Sequence, residues 1–366
     1  MINSLFYNRL YDWYERHHRI LPWRETEDGY RIWLSEVILQ QTRVAQGMDY
    51  YLRFVERWPT VEALADASED EVLREWQGLG YYSRARNLHK AAKQIVESGK
   101  RKVESGEWKV ESGESRVESG EWRVVFPKTF EEIRALPGVG DYTAGAIASF
   151  AYNLPYTAMD GNVYRVLARL FDIDEPFDTT AGKKRFRMQG ETLLDRTHPR
   201  LFNSAIMEFG ALQCLPVLGD NCQTCPLQSF CMAYAHHTAD VLPMRKPRPQ
   251  LRDRWLDYSI YLAKQDGRLM TLIHQREDKD IWYHLYEFPC IEHAQAPDDE
   301  RPTTSDQRQT TFTHILSHQR IHARFLLYKV DELPAIANTQ HVWVEELDQY
   351  ALSRLTLRAL EKLHLY

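Results

Sequence analysis

The chain is poor in cysteine and has no excess of basic residues, and both shortages limit its function. Five cysteines among 366 residues are too few for the disulfide framework of a small secreted protein, so we expect a reducing, cytoplasmic setting. Its 46 Lys and Arg are outnumbered by 52 Asp and Glu, giving a net charge of -6. Nucleic-acid binders usually show a basic balance, so binding to DNA would require basic residues gathered on one face.

Long apolar stretches are absent as well. No apolar run approaches the ~20 residues that a membrane-spanning helix needs. The segment from Met1 to His18 alternates polar and aromatic side chains and lacks the apolar core of a signal peptide. We therefore expect no membrane association. The length predicts about two domains, and 43% hydrophobic residues is enough to build a buried core in each.

The order of predicted elements divides the chain into a helical part and a later part rich in strands. Ser68 followed by acidic residues predicts a helix start. We predict an all-α domain over 1–235, a Pro-rich linker over 236–253 and an α+β domain over 254–366. Helices are predicted at 31–41, 127–136, 142–151, 162–171 and 351–363, and strands at 257–262, 268–274, 321–330 and 341–344.

A tandem repeat interrupts the helical part. Four seven-residue units, VESGKRK, VESGEWK, VESGESR and VESGEWR, run from 96 to 123. A period of seven is typical of a coiled coil, but every unit contains a glycine, which costs about 1 kcal/mol in a helix interior. We predict that the repeat is an exposed, mobile insertion rather than a functional motif.

Four of the five cysteines stand close together with the spacing C-x7-C-x2-C-x5-C. They are Cys214, Cys222, Cys225 and Cys231, whereas Cys290 stands alone. Four thiolates at such spacing can hold an iron–sulfur cluster or a zinc ion. Packing alone is a poor explanation for four cysteines this close.

A Leu-Pro-Gly-Val-Gly turn joins two predicted helices, and Asp160 follows it about twenty residues later. Gly138 and Gly140 permit positive φ and a close approach of the backbone. The N–H groups at the start of the following helix can then bind a phosphate. Taken alone, the turn is equally typical of an ordinary helix–turn–helix corner.

Turn, aspartate and cysteines together resemble the helix-hairpin-helix DNA glycosylase superfamily. The resemblance implies a [4Fe–4S] cluster on the four cysteines, although the usual first gap is six residues and here it is seven. Within the superfamily, three motifs are similar to the adenine DNA glycosylase (MutY) family. They are LPWR at 21–24, WLSEVILQQT at 33–42 and GLGYYSRARNL at 78–88.

Two carboxylates are candidates for the chemistry of base removal, which needs an acid for the leaving purine and an anion beside the sugar cation. Glu36 lies among Ile32, Trp33 and Leu39, which should desolvate it, raise its pKa and make it an acid. Asp160 precedes a helix start, where it should stay ionised and could also act only as an N-cap. The resemblance implies that Glu36 protonates adenine N7 and later activates water, while Asp160 stabilises the oxocarbenium ion.

Tyr142 distinguishes two groups of this superfamily. The bifunctional glycosylase/lyases of the endonuclease III family place a lysine at this position, whose amine forms a Schiff base with the sugar. Because this sequence has Tyr142 there, it predicts a monofunctional glycosylase with the tyrosine near the sugar cation.

The resemblance also assigns residues to binding of DNA and of the flipped base. Positions that wedge into the duplex match Gln40, Gln41 and Tyr82, although core packing is an alternative for Tyr82. Positions that line the adenine pocket match Trp23, Arg24 and Glu208, and we add Asn162 from the Asp160 motif.

The C-terminal part resembles the Nudix-like module of the same family. The motif YEFP at 286–289 is similar to one of its strands, and the R-E-x-x-E-E metal helix of pyrophosphohydrolases is absent. We therefore predict that the module binds rather than hydrolyses. The segment at 312–318 resembles the loop that detects 8-oxoguanine, with Ser317 and His318 as hydrogen-bonding groups and Leu316 in place of the usual phenylalanine.

The sequence thus predicts a monomeric, cytoplasmic glycosylase acting at the bacterial nucleoid. It would excise adenine opposite 8-oxoguanine or guanine in double-stranded DNA. The alternatives are a bifunctional pyrimidine-damage glycosylase/lyase, an inactive DNA-binding protein with a structural cluster, and a Nudix hydrolase. Tyr142 argues against the lyase, and the two carboxylates argue against an inactive protein. The missing metal helix argues against a Nudix hydrolase.

Overall fold

The computed structural model describes residues 4–104, 124–247, 250–297 and 308–365. They form two compact units: Met1–Asp66 with Lys90–Pro247, and Ala67–His89 with Arg248–Tyr366. The segment Ala67–His89, which we had predicted to belong to the first domain, therefore clusters with the C-terminal domain. Most of the repeat, 105–123, lies outside the described residues, and its start is helical.

The described residues of the first unit are helical, apart from turns and loops. Its helices are α1 (Ser4–His17), α2 (Gly29–Ile38), α3 (Val44–Arg57), α4 (Val61–Asp66), the later part of α6 (Ser83–Glu104), α7 (Phe130–Arg134), α8 (Asp141–Tyr152), α9 (Gly161–Leu170), α10 (Thr180–Leu193), α11 (Pro199–Leu212) and α12 (Met232–Ala235).

Small residues and capping side chains bring these helices together around α8 and α9. A Cβ on Gly145 of α8 would lie 2.6 Å from the carbonyl oxygen of Thr157, and one on Gly210 of α11 would lie 2.7 Å from Cβ of Asn162. Both glycines therefore permit close approach of the backbone. At Gly210, α11 thus packs closely against the first turn of α9, the turn that Asp160 caps.

The second unit combines a mixed sheet with short helices. Its strands are β1 (Arg252–Gln265), β2 (Arg268–Gln275), β3 (Tyr286–Glu287), β4 (Cys290–His293), β5 (Arg308–Ile315), β6 (Gln319–Val330) and β7 (Gln340–Trp343). The order is β3-β2-β1-β6-β5, with β4 beside β1 and β7 beside β2. The β1–β6 pair is parallel, whereas β5 and β6 form an antiparallel hairpin.

Helices α5 (Glu69–Glu75) and α13 (Arg354–Lys362) complete the second unit. Ser68 and Glu71 form a capping box at the start of α5, which confirms the predicted helix start. Four of the strands were predicted from the residue pattern and β3 was indicated by the YEFP motif, while the structure adds β4 and β5. Among the residues described, no helix is both long and apolar enough to cross a membrane.

Candidate active site

A cavity of about 450 Å³ opens in the first unit, where the ends of α2, α8 and α9 meet α11. Its volume lies in the range of small-molecule pockets. Residues far apart in the sequence line it together, including most of those predicted from the motifs. These are Trp23, Arg24, Glu36, Gln40, Gln41, Tyr142, Asp160, Asn162 and Glu208.

Glu36 is the most enclosed carboxyl group of the cavity, with a side chain only 5% exposed. The Tyr142 hydroxyl donates to its Oε2 at 2.9 Å, and Arg24 Nη2 lies 3.4 Å from its Oε1. Burial raises the pKa of Glu36, while Arg24 and the Tyr142 hydrogen bond oppose the rise and the charge of Asp160 adds to it. A carboxyl group with a raised pKa can hold a proton for transfer to a base.

Asp160 caps α9 and turns its carboxylate to the same cavity. Its Oδ1 accepts from the backbone N–H groups of Asn162 at 2.9 Å and Val163 at 2.8 Å, and its Oδ2 accepts from Asn162 Nδ2 at 2.8 Å. Burial raises the pKa of Asp160 against these hydrogen bonds, which lower it. The position at a helix start predicts an ionised carboxylate; in the structure burial opposes ionisation, whereas the three donors favour the ionised form.

Tyr142 lies in the first turn of α8. Burial raises the pKa of its phenol well above the ordinary value, and the charges of Glu36 and Asp160 raise it further. The phenol therefore stays protonated and donates its hydrogen bond to Glu36. No lysine is found among the described residues that line the cavity.

Two arginines of the cavity wall, Arg24 and Arg19, are themselves held by neighbouring side chains. The Arg24 guanidinium carbon lies 3.6 Å from the ring centroid of Phe150, an arrangement that fixes its plane through a cation–π contact. Arg19 binds Glu208 through Nε at 2.5 Å and Nη2 at 2.8 Å. The motifs did not identify Arg19, because its partner is 189 positions away and no spacing links the two.

The hairpin turn before α8 contributes backbone conformation rather than cavity wall. Gly138 has a φ of +78°, which favours glycine, whereas Gly140 is extended with a φ of -92°. Arg134 donates to the Val139 carbonyl at 2.9 Å and pairs with Asp141 at 2.6 Å. The predicted need for positive φ therefore applies to Gly138 only.

In the second unit, Tyr82 is placed differently from the predicted wedge. Its ring is 2% exposed, and its hydroxyl donates to the Leu352 carbonyl at 3.3 Å. It is a core residue, the alternative that the sequence left open. The neighbouring Tyr81 is 46% exposed, so it presents the accessible ring of this turn.

Ser317 and His318 form the tip of the β5–β6 hairpin, also in the second unit. Both are exposed, and Ser317 Oγ lies 3.2 Å from His318 Nδ1. The Leu316 N–H donates to the Gln319 carbonyl at 2.8 Å and closes the turn. The hairpin therefore presents a hydroxyl and an imidazole to solvent.

The four clustered cysteines follow α11 and have free thiols. Arg169 Nη1 lies 3.3 Å from Cys214 Sγ, and Cys231 donates to the Arg169 carbonyl. Burial raises the pKa of Cys225 to about 12, with further contributions from the other three thiols. Within the described ranges, no three His, Cys, Asp or Glu side chains gather around one metal ion. The donor set nevertheless suits a multi-iron cluster, in which each thiolate binds its own iron.

Both units of the chain match known protein families. Residues 34–187 match the HhH-GPD superfamily of base excision DNA repair proteins, and residues 259–362 match the NUDIX domain. A solved structure described as a thermostable thymine-DNA glycosylase is 24% identical, with a TM-score of 0.52, and the match covers 64% of this chain and 96% of that one. At an identity of 24%, this similarity shows a shared fold and not a shared substrate. The chain is thus a helix-hairpin-helix base excision repair glycosylase with a C-terminal Nudix-like domain.

Curated relatives narrow the class. The adenine DNA glycosylase of Buchnera aphidicola (subsp. Baizongia pistaciae) is 32% identical over 292 residues, which are 79% of this chain and 74% of the relative. The human adenine DNA glycosylase is 39% identical over 239 residues, 63% of this chain and only 39% of the human protein. The chain belongs to the adenine DNA glycosylase family.

Proposed function

We propose that this protein excises adenine paired with 8-oxoguanine or guanine in double-stranded DNA, without cutting the strand itself. The observation that supports this most directly is the presence of two unlike carboxyl groups, Glu36 and Asp160, in one cavity. Burial raises the pKa of both groups, and the pKa of Glu36 is also raised by the charge of Asp160. They differ in their partners, because Asp160 accepts three hydrogen bonds that lower its pKa and favour its ionised form.

The proposed reaction uses these groups in sequence. With adenine flipped into the cavity, the Glu36 carboxyl gives its proton to N7 while the bond between N9 and C1′ breaks. Asp160 faces the positive charge that develops on the sugar. The Glu36 carboxylate then takes a proton from a water molecule, whose hydroxide adds to C1′. Tyr142 keeps the Glu36 carboxyl oriented throughout through its hydrogen bond.

A duplex with a single A:8-oxoguanine pair tests the activity. We expect the protein to leave an abasic site, so that the strand breaks only after treatment with alkali. The reason is that a tyrosine occupies the position of the Schiff-base lysine and a phenol cannot form a Schiff base with the sugar. Product strands are measured with and without alkali, and a G:C duplex serves as the control. Strand cleavage without alkali would instead support the bifunctional alternative.

We further propose that the tip of the β5–β6 hairpin distinguishes 8-oxoguanine from guanine. Replacing Ser317 with alanine should lower the ratio of the single-turnover rates for A:8-oxoguanine and A:G about fivefold, the effect of one lost hydrogen bond. Thr311→Ala, which removes an exposed hydroxyl from the same hairpin, is the matched control and should keep the ratio. An unchanged ratio in Ser317→Ala would assign lesion recognition elsewhere.

The four cysteines are proposed to hold a [4Fe–4S] cluster, which would cross-link the chain that follows α11. Arg169 of α9 contacts this part of the chain at Cys214 and Cys231. No step of base removal passes through it. The purified protein should contain roughly four iron atoms per chain, Cys225→Ser should lose them, and Cys290→Ser should retain them. Metal and sulfide analysis decides this, and a preparation that contains zinc but no iron would contradict the assignment.

A further inference from the structure

The turn that presents Tyr81 has an unusual backbone. Gly78 and Gly80 have φ of +99° and +72°, and Tyr81 itself has a φ of +49°. A non-glycine residue in the left-handed region costs free energy and persists only when its surroundings hold it there. Turn residues 78–81 must therefore be stabilised by neighbouring groups.

Part of this support comes from the helices on either side of the turn. The Gly80 carbonyl accepts from the indole N–H of Trp76 at 3.0 Å and from Arg84 Nη2 at 3.3 Å. The Arg84 guanidinium carbon also lies 5.7 Å from the centroid of the Tyr81 ring. These contacts fix the carbonyl that precedes Tyr81.

The Tyr82 hydroxyl also accepts from the Gly78 N–H at 3.4 Å, and further support comes from one residue of the C-terminal domain. Gln77 Oε1 accepts from the Leu352 N–H at 3.1 Å, and the Tyr82 hydroxyl donates to the Leu352 carbonyl at 3.3 Å. The two side chains that flank the turn thus bind both polar groups of the same residue. Leu352 is fully buried and bridges to Tyr286 of β3, so this anchor belongs to the domain core.

Other residues of the segment Ala67–His89 also contact the C-terminal domain. Arg86 donates to the Tyr283 carbonyl at 2.7 Å, and its guanidinium lies over the Tyr283 ring. Glu69 pairs with His284. The segment therefore forms one compact unit with the C-terminal domain, and this unit also contains the hairpin with Ser317 and His318.

We propose that Gln77 and Tyr82 are positioning residues through which the C-terminal domain sets the Tyr81 turn. This inference rests on the proposed function, in which a base leaves the stack and a ring fills the gap. The turn that opens the stack and the hairpin that reads the opposite base then move as one body. Recognition of 8-oxoguanine places the Tyr81 ring correctly, and a poorly held hairpin misplaces it.

Three substitutions test this coupling. Gln77→Leu removes the acceptor for the Leu352 N–H, Tyr82→Phe removes the hydroxyl but keeps the buried ring, and Gln77→Glu keeps an acceptor oxygen. Gln77→Leu should lower the single-turnover rate ratio of A:8-oxoguanine over A:G about fivefold, the effect of one hydrogen bond. Tyr82→Phe should lower the ratio at least as much, because the hydroxyl also accepts from the Gly78 N–H. Gln77→Glu should retain the ratio. Tyr261→Phe, the same chemical change elsewhere on the sheet, is the matched control and should also retain it.

A second measurement follows the stack directly, without base release. In a Glu36→Gln background, 2-aminopurine placed next to the target adenine should fluoresce more strongly on binding when 8-oxoguanine is opposite. Tyr82→Phe should remove most of this additional fluorescence, whereas Tyr261→Phe should not. If Gln77→Leu and Tyr82→Phe keep the wild-type melting temperature, rate ratio and fluorescence, the proposed coupling is wrong, while the proposed function still stands. A wild-type protein that releases no adenine would overturn the proposed function instead.

Discussion

Replacing Glu36 with glutamine is expected to reduce adenine release about 10²- to 10⁴-fold, the usual contribution of a positioned general acid. The amide has nearly the shape of the carboxyl group and can still accept the Tyr142 hydrogen bond, but it has no acidic proton to give to N7. Binding to a duplex with A:8-oxoguanine should be almost unchanged. Single-turnover kinetics measure the release, and fluorescence anisotropy measures the binding.

The control for this substitution is Glu131→Gln, which makes the same change on an exposed residue of α7 and should keep full activity. Because burial raises the pKa of Glu36, neutral glutamine should not lower the melting temperature. A large loss of stability would attribute the inactivity to misfolding, and retained turnover would remove Glu36 from the role of acid.

The pH profile offers a second check of the same assignment. A raised pKa means that the folded protein binds this proton more tightly than the unfolded chain does. The protonated acid therefore persists to higher pH than for an ordinary glutamate, and the rate should fall as pH rises through the pKa of Glu36. The stabilisation by this proton is fully present below the pKa that Glu36 has in the unfolded chain. It is lost as the pH rises through the pKa of Glu36 in the folded protein. An increase of rate over that range would contradict the acid role.

Replacing Asp160 with asparagine is expected to slow adenine release by about 10²- to 10³-fold, which is typical for loss of one preorganised electrostatic contact. Asparagine is as good an N-cap as aspartate, so the hydrogen bonds from Asn162 and Val163 to the side-chain oxygen can persist. The hydrogen bond from Asn162 Nδ2 to Oδ2 is lost, so stability should fall by about 1 kcal/mol, the effect of one hydrogen bond. The measurement combines single-turnover rates with thermal unfolding, and it separates the cap from the charge.

The chain contains a matched control for this experiment. Asp28 caps α2 and accepts from the backbone N–H groups of Tyr30 and Arg31, so Asp28→Asn makes the same exchange at another helix start. Its activity should stay close to that of the wild type. Equal small losses in both variants would show that Asp160 contributes only as a cap.

The sequence indicated the chemically important residues because they belong to short local patterns. Glu36 lies within an apolar helical stretch, and Asp160 stands directly before a helix start. The capping box at Ser68 is likewise encoded within four residues. The YEFP motif indicated β3, whereas β4 was missed because it is only 4 residues long. Strand β5 was also missed, because it is recognisable mainly by its pairing with β6.

The local pattern of residues by itself determined the helical and strand-rich parts, the two carboxyl groups and the cysteine cluster. Tertiary structure alone decided that Arg19 holds Glu208, that Tyr82 is buried while Tyr81 is exposed, and that Ala67–His89 packs with the C-terminal domain. The physical reason is that capping and periodicity act between neighbours in the chain. Burial and hydrogen-bond pairing depend on partners such as Leu352, which is 270 positions away from Tyr82 and becomes a neighbour only on folding.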